Sequence, residues 1–219
     1  MSMPWFALFT AITLIFFIVT WDWVPGHMCL RALGLSWLST VAFLAATQPA
    51  LLRRRSLLPE TGPSSPDWDA RVLCCFRGCL LLLFAVAGWQ SGRGGVPYDP
   101  AVFKFGAGLL MVATLGLWAS CFSNPFFETQ VRHQSEQGQR VIRTGPYGVV
   151  RHPGYLAIIL MLLSLPIMLH SSAATFPACL CIAILVVRLR REESHLIAHL
   201  EGYAEYLECV QYRLVPGLW

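Results

Sequence analysis

Apolar runs long enough to cross a bilayer follow one another along the chain. A helix needs about 20 apolar residues to span the hydrocarbon core. Four such runs occupy 5–24, 28–52, 72–89 and 101–122, and a fifth, 155–187, is long enough for a helical hairpin. Only 13% of the residues are charged, whereas soluble domains have about a quarter. We therefore predict an all-α, polytopic integral membrane bundle with about six crossings.

Basic residues are distributed unevenly between the two ends of these predicted spans. With a cytoplasmic N-terminus and six crossings, twelve arginines fall on the cytoplasmic side and only Arg31, Arg93 and Lys104 on the other, with Arg77 inside a span. Because cytoplasmic loops carry the excess of basic residues, this asymmetry predicts the orientation. The net charge of +4 therefore needs no nucleic-acid partner, and no basic patch with interleaved aromatic residues is present in the sequence.

The eight cysteines lie mostly inside apolar segments and show no C-x-x-C spacing. Cysteines in such positions usually serve as small apolar packing residues. We expect neither a metal site nor a disulfide framework.

Two polar runs, 134–155 and 188–193, lie where predicted spans would leave the bilayer. Ionisable groups at such places cost free energy and often mark function. Within the first run, Pro153 disfavours the α region at His152 but suits the first position of a helix. The expected helix would present free backbone N–H groups to the preceding loop, where an anion could dock. Each feature also has a structural interpretation: His152 could be a helix cap, and Arg188 and Glu192 a surface pair four residues apart.

Five motifs occur in a fixed order in the C-terminal part of the chain. They are GPY at 145–147, RHPGY at 151–155, R-x-x-x-E-E at 188–193, Y-x-x-Y at 203–206 and YRLVP at 212–216. As an ordered set, they resemble the isoprenylcysteine carboxyl methyltransferase family in its short bacterial form. The resemblance covers 124–219.

The resemblance implies a membrane methyltransferase that uses S-adenosyl-L-methionine and closes the cofactor site with its C-terminal segment. The residues that would bind the cofactor are Gln134, Gln139, Arg140, Val141, Ile142, Tyr147, His152, Pro153, Gly154, Tyr155 and Glu192. Arg188 and Glu192 would be the catalytic pair, with Arg188 facing the methyl acceptor. Family members often have a histidine where this chain has Gln139.

The implied acceptor is a lipophilic or lipidated molecule that reaches the site among membrane lipids. A carboxylate such as that of an isoprenylcysteine is the first expectation, and a thiol or amine lipid is the alternative. The resemblance implies no metal and no nucleic acid. The active site is expected on the cytoplasmic side.

The chain is predicted to divide into two parts. Residues 1–122 would hold four transmembrane helices with a cytoplasmic linker at 53–71. Residues 123–219 would form the catalytic half, with a cofactor loop at 123–153, a helical hairpin at 154–187 and an amphipathic segment at 188–219. Membrane sterol reductases, which bind NADPH, have a similar C-terminal half and are the alternative enzyme class. A non-catalytic membrane scaffold is the third possibility.

Overall fold

The computed structural model describes residues 23–57, 66–91, 97–131 and 138–219. Seven α-helices and one short 3-10 helix make up this part of the chain, which contains no strand. They are α1 (Val24–Thr47), α2 (Pro49–Leu57), α3 (Asp67–Ser91), α4 (Pro100–Ser123), the 3-10 helix (Gly145–Gly148), α5 (Pro153–Met168), α6 (Thr175–His199) and α7 (Tyr203–Cys209). The predicted all-α fold is confirmed.

Three helices, α1, α3 and α4, are long and apolar enough to cross a membrane. Helix α5 is also apolar but has only 16 residues. The first predicted span, 5–24, lies almost entirely outside the described residues. The number of six crossings therefore stays a prediction.

The predicted span at 28–52 is not one helix. Helix α1 ends at Thr47, where the N–H of Gln48 still donates to Leu44 O at 2.8 Å. Pro49 then begins α2. A proline has no N–H for the helix ladder and fits the first position of a new helix, which explains the break.

The linker predicted at 53–71 is helical at both ends. Helix α2 continues to Leu57, and α3 already begins at Asp67. Asp67 and Asp69 lie in the first turn of α3, where a negative charge is favourable next to the positive end of the helix dipole. Because α3 begins before Asp69, this residue belongs to a helix of the bundle and not to the linker.

Hydrogen bonds between helices define two ends of the bundle. At the turn end, Gln90 near the end of α3 accepts from Ser171 Oγ at 2.6 Å and from the N–H of Ala173 at 3.1 Å. His170 belongs to the same end, because its Nε2 accepts from the N–H of Asp99 just before α4. At the site end, Asp69 of α3 binds Arg188 of α6. The helices therefore run alternately between these ends.

Helices α5 and α6 form a hairpin that leaves the site end and returns to it. Helix α6 runs without a break from Thr175 to His199. The charged segment expected to begin at 188 thus starts as a continuation of the last apolar limb. The chain turns only after His199, at Gly202, which has a φ of +77°.

Helix packing places the core between the two halves of the chain. Helix α4 packs extensively against α5, and α3 packs along α6. Leu83 and Ala87 of α3 and Leu185 and Leu189 of α6 are all buried in the same cluster. The N-terminal helices therefore help to hold the elements that carry the site.

Candidate active site

A pocket opens at the site end between the segment after α4, the segment 139–155 and the helices α6 and α7. Nine of the eleven residues predicted to bind the cofactor line it: Gln139, Arg140, Val141, Ile142, Tyr147, His152, Gly154, Tyr155 and Glu192. Pro153 is buried next to the wall, and Gln134 lies outside the described residues. Two segments separated in sequence by α5 and most of α6 thus meet at one cavity.

The 3-10 helix forms one wall, and its glycine is required by local geometry. Gly145 has a φ of +60°, and a Cβ there would collide with the side chain of Ser123. The turn buries Tyr147, whose backbone oxygen accepts a hydrogen bond from Tyr206 Oη at 2.7 Å. Burial raises the pKa of Tyr206 to about 12, so its hydroxyl stays protonated and can donate at neutral pH.

The start of α5 forms a second wall. His152 precedes the helix, and Pro153 is its first residue, as predicted. The N–H of Tyr155 donates to His152 O at 3.1 Å, so this group of the first turn is not free for an anion. A Cβ at Gly154 would collide with the ring of Phe127. The glycine therefore lets Phe127 close this side of the pocket.

The C-terminal segment lies directly against the start of α5. The N–H groups of Arg151 and His152 donate to the backbone oxygens of Tyr212 and Arg213, each at 2.9 Å. The N–H of Arg213 in turn donates to the backbone oxygen of Trp219 at 3.0 Å. This folded segment backs the wall that His152 forms.

A buried chain of polar groups runs from α3 to the pocket. Arg188 donates to both carboxylate oxygens of Asp69, from Nε at 2.8 Å and from Nη2 at 3.2 Å. Its Nη1 donates to Tyr155 Oη at 2.8 Å, and Tyr155 Oη donates to Glu192. Glu192 lies on the pocket wall, whereas Arg188 lies behind Tyr155. The chain therefore orients the carboxylate that faces the cavity.

These contacts exclude one interpretation of Arg188 and bear on a second. A surface pair with Glu192 is wrong, because Arg188 is 8% exposed and reaches Glu192 only through Tyr155. The fork expected to hold an acceptor carboxylate instead holds Asp69. The physical reason is that α3 begins earlier than predicted and brings its own carboxylate to the guanidinium.

Glu193 forms a second buried ionic cluster behind the pocket. Its carboxylate lies 2.7 Å from Arg213 Nε, 3.2 Å from Arg151 Nη1 and 3.7 Å from His152 Nε2. Burial alone would raise the pKa of Glu193, but the three basic neighbours outweigh it and lower this pKa to about 2. Glu193 is therefore ionised at neutral pH and joins α6, the start of α5 and the C-terminal segment.

Tyr203 contributes a buried hydroxyl to the pocket lining. The residue is 4% exposed, and its Oη has no hydrogen-bond partner among the described residues. Burial raises the pKa of Tyr203, so the group is a neutral donor at physiological pH. A buried hydroxyl without a partner is costly and is available for a ligand.

Sequence reasoning missed Asp69, Glu193, Tyr203 and Phe127 as members or neighbours of the site. Asp69 offered one signal, since it is a carboxylate at the edge of an apolar run, where charges are rare. Glu193 and Tyr203 stood inside motifs of the resemblance without an assigned role. Among the residues that the structure describes, no three histidine, cysteine or acidic side chains are grouped to hold a metal ion. All eight cysteines are free thiols.

The fold and site define a helical membrane protein with a pocket beside two buried ionic clusters. Residues 106–198 match the model of the isoprenylcysteine carboxyl methyltransferase (ICMT) family. The match runs from α4 to the last turn of α6, and it is to the same methyltransferase family that the motifs resemble. No curated protein matches the chain.

Proposed function

We propose that the protein is an integral membrane, S-adenosyl-L-methionine-dependent methyltransferase that transfers a methyl group to a lipophilic acceptor. The pocket carries this proposal, since residues expected to bind the cofactor from both the segment 139–155 and α6 line a single cavity. The family match to methyltransferases supports it. The pocket is proposed to face the cytoplasm.

The lining residues fit the proposed cofactor chemically. S-adenosyl-L-methionine supplies an electrophilic methyl group on a positively charged sulfur, and it also carries an ammonium group. Glu192 offers a carboxylate at the wall, and opposite charges attract strongly where water is excluded. Tyr203 offers a hydroxyl without a protein partner. We assign these two residues, with the backbone of 139–142, to cofactor binding.

The contribution of the protein to catalysis would be alignment. Methyl transfer from a sulfonium is an in-line displacement, and correct placement of two reactants can remove several kcal/mol of the barrier. Tyr155 holds the Glu192 carboxylate by a hydrogen bond, and Arg188 and Asp69 hold Tyr155 from behind. Val141, Leu196 and Leu200 supply apolar lining that excludes water. Such an arrangement needs no general base of its own when the acceptor is already nucleophilic.

The acceptor is proposed to enter from the bilayer and the cofactor from the cytoplasm. Glu192 follows the apolar limb of α6 by only a few residues, which supports a pocket at the level of the lipid headgroups. An amphiphile could keep its tail among the apolar helices while its polar end reaches the pocket. The acceptor is then a small lipophilic molecule or a lipidated chain end.

Ligand-dependent unfolding of the purified protein in detergent tests this function. S-adenosylhomocysteine should raise the unfolding temperature, because a ligand that binds only the native state stabilises it by RT ln(1 + [L]/Kd). Glu192→Gln should reduce this increase, whereas Glu201→Gln, at an exposed residue outside the pocket lining, should not. Stabilisation by NADPH instead would indicate a reductase. No stabilisation by either compound would indicate a scaffold.

A further inference from the structure

Asp69 is the part of the ionic chain that the family match does not cover. It belongs to α3, whereas the match covers 106–198. Asp69 is 2% exposed, and its Oδ2 also accepts from the N–H of Val131 at 3.0 Å. This carboxylate is therefore built into the bundle as the partner of Arg188.

The donors of Arg188 are almost fully used. A guanidinium has five N–H groups. Two of them bind Asp69, another on Nη2 binds the backbone oxygen of Thr129 at 2.8 Å, and one on Nη1 binds Tyr155 Oη. A single Nη1 N–H is left among these contacts, so neither edge of the guanidinium offers the two parallel donors that a carboxylate prefers.

An acceptor carboxylate would have to displace Asp69 to bind this fork. Of its partners among the described residues, Asp69 would then keep only the N–H of Val131. Leaving one member of a buried ion pair unpaired is strongly unfavourable and would reduce the affinity by roughly 100-fold or more. The pocket wall beside Tyr155 carries the carboxylate of Glu192, which repels an anion at that point.

We propose that Asp69 is a specificity-determining residue that occupies the carboxylate-binding fork of Arg188, so that this enzyme does not recognise its acceptor as a carboxylate at Arg188. Arg188 is then a positioning residue, which acts on the pocket through Tyr155 and Glu192. This inference rests on the proposed function for the existence of an acceptor, but the state of the fork can be tested without methyl transfer.

The test compares binding of decanoate and of decanamide, a neutral probe of the same length, to the detergent-solubilised full chain. The wild type should bind decanoate no more tightly than decanamide. Asp69→Ala should bind decanoate at least about tenfold more tightly than the wild type, because the freed fork can form two charge-assisted hydrogen bonds. Decanamide binding should not change.

Two variants serve as controls. Asp67→Ala removes an exposed carboxylate from the same first turn of α3 and should behave as the wild type. Asp69→Ala combined with Arg188→Gln should lose the gain. Asp69→Asn keeps the shape of the side chain and should show a smaller gain in the same direction, which covers the case in which Asp69→Ala does not fold.

The inference is overturned if the wild type binds decanoate more tightly than decanamide and Arg188→Gln abolishes the difference. It is also overturned if folded Asp69→Ala and Asp69→Asn show no gain. Binding of S-adenosylhomocysteine, measured separately, reports on the proposed function. No binding of S-adenosylhomocysteine would reject the methyltransferase proposal. The comparison of decanoate with decanamide would still show whether Asp69 occupies the Arg188 guanidinium.

Discussion

Glu193 is ionised in a buried site, so its contribution to stability should depend on pH. Its pKa is lowered from 4.5 to about 2 by its basic neighbours. Since the unfolded chain binds this proton more readily, the stabilisation is present above pH 4.5 and is lost as the pH falls towards 2. The difference corresponds to about 3 kcal/mol at neutral pH. Glu193→Gln should therefore be strongly destabilised at pH 7 and clearly less destabilised at pH 3, where part of this stabilisation is already lost.

Unfolding temperatures in detergent at pH 7, 5 and 3 measure this dependence. The exposed Glu201→Gln provides the reference for general acid effects. A stability difference between the wild type and Glu193→Gln that stays constant across this range would show that the three basic neighbours do not hold the carboxylate in its charged form.

The hydroxyl of Tyr203 should matter for ligand binding more than for stability. Tyr203→Phe removes a group that has no protein partner among the described residues, so the unfolding temperature should be unchanged or slightly higher. The affinity for S-adenosylhomocysteine should fall by about five- to tenfold, which corresponds to the loss of one hydrogen bond. Calorimetric titration of both proteins measures this ratio.

Tyr206→Phe is the matched control, because it removes a tyrosine hydroxyl that does have a protein partner. It removes the hydrogen bond to Tyr147 O and should cost about 1 kcal/mol of stability. Equal affinity for S-adenosylhomocysteine in Tyr203→Phe and the wild type would remove Tyr203 from the cofactor site.

For single residues, the sequence predicted members of the site where they lie close together in a motif. The motif at 151–155 and the pair of Glu192 and Arg188 pointed to one site, and the structure brings their surroundings together. Asp69 could not be found in this way, because it lies 119 residues before Arg188. Its role depends on how α3 packs along α6, which no local pattern contains.

Among the helices, α4 and α5 pack tightly at Gly106. A Cβ at this position would lie 2.7 Å from Met168 Cγ and 3.1 Å from the backbone nitrogen of Met168. Since a backbone atom cannot move aside cheaply, Gly106→Ala should lower the stability by about 1–3 kcal/mol through overpacking. Gly108, two residues later, has no atom within 4 Å of its would-be Cβ.

Gly108→Ala is therefore the control for the change in helix propensity. Alanine favours a helix over glycine by about 1 kcal/mol, so this variant should be as stable as the wild type or more so. Unfolding temperatures of both variants test the packing directly. An unimpaired Gly106→Ala would mean that the two helices are less close than described.

Helix boundaries show what hydrophobicity can and cannot predict. The apolar run at 101–122 predicted α4 to within one residue at each end. The end of the last apolar limb near 187 did not mark the end of a helix, because arginine and glutamate continue a helix readily. Helix α6 stops only at His199, ahead of Gly202 with its positive φ. The change from apolar to charged residues near 187 thus indicates where α6 leaves the membrane, and it does not indicate where the helix ends.

In the whole molecule, all described site residues lie at one end of the bundle. Asp69, Tyr155 and Glu192 meet there, while Gln90, Asp99 and His170 meet at the turn end. The basic residues of the ionic clusters, Arg151 and Arg213, also belong to the site end. Some of the arginines counted in the predicted charge asymmetry therefore form ion pairs inside the site. The other arginines still favour a cytoplasmic orientation for that end.

Thiol labelling at the two ends tests this orientation. Cys209 is exposed on α7 at the site end, and Ser172 is exposed at the turn end. In a background without the other exposed cysteines, a membrane-impermeant maleimide should label Ser172→Cys in intact cells and Cys209 only after the membrane is opened. The expectation follows because α5 and α6 each connect one end to the other, and the positive-inside rule places the arginine-rich end in the cytoplasm. Labelling of both thiols from the same side would contradict the alternating arrangement of the helices. Labelling of Cys209 alone in intact cells would keep that arrangement but place the pocket outside, where a cytoplasmic cofactor could not reach it.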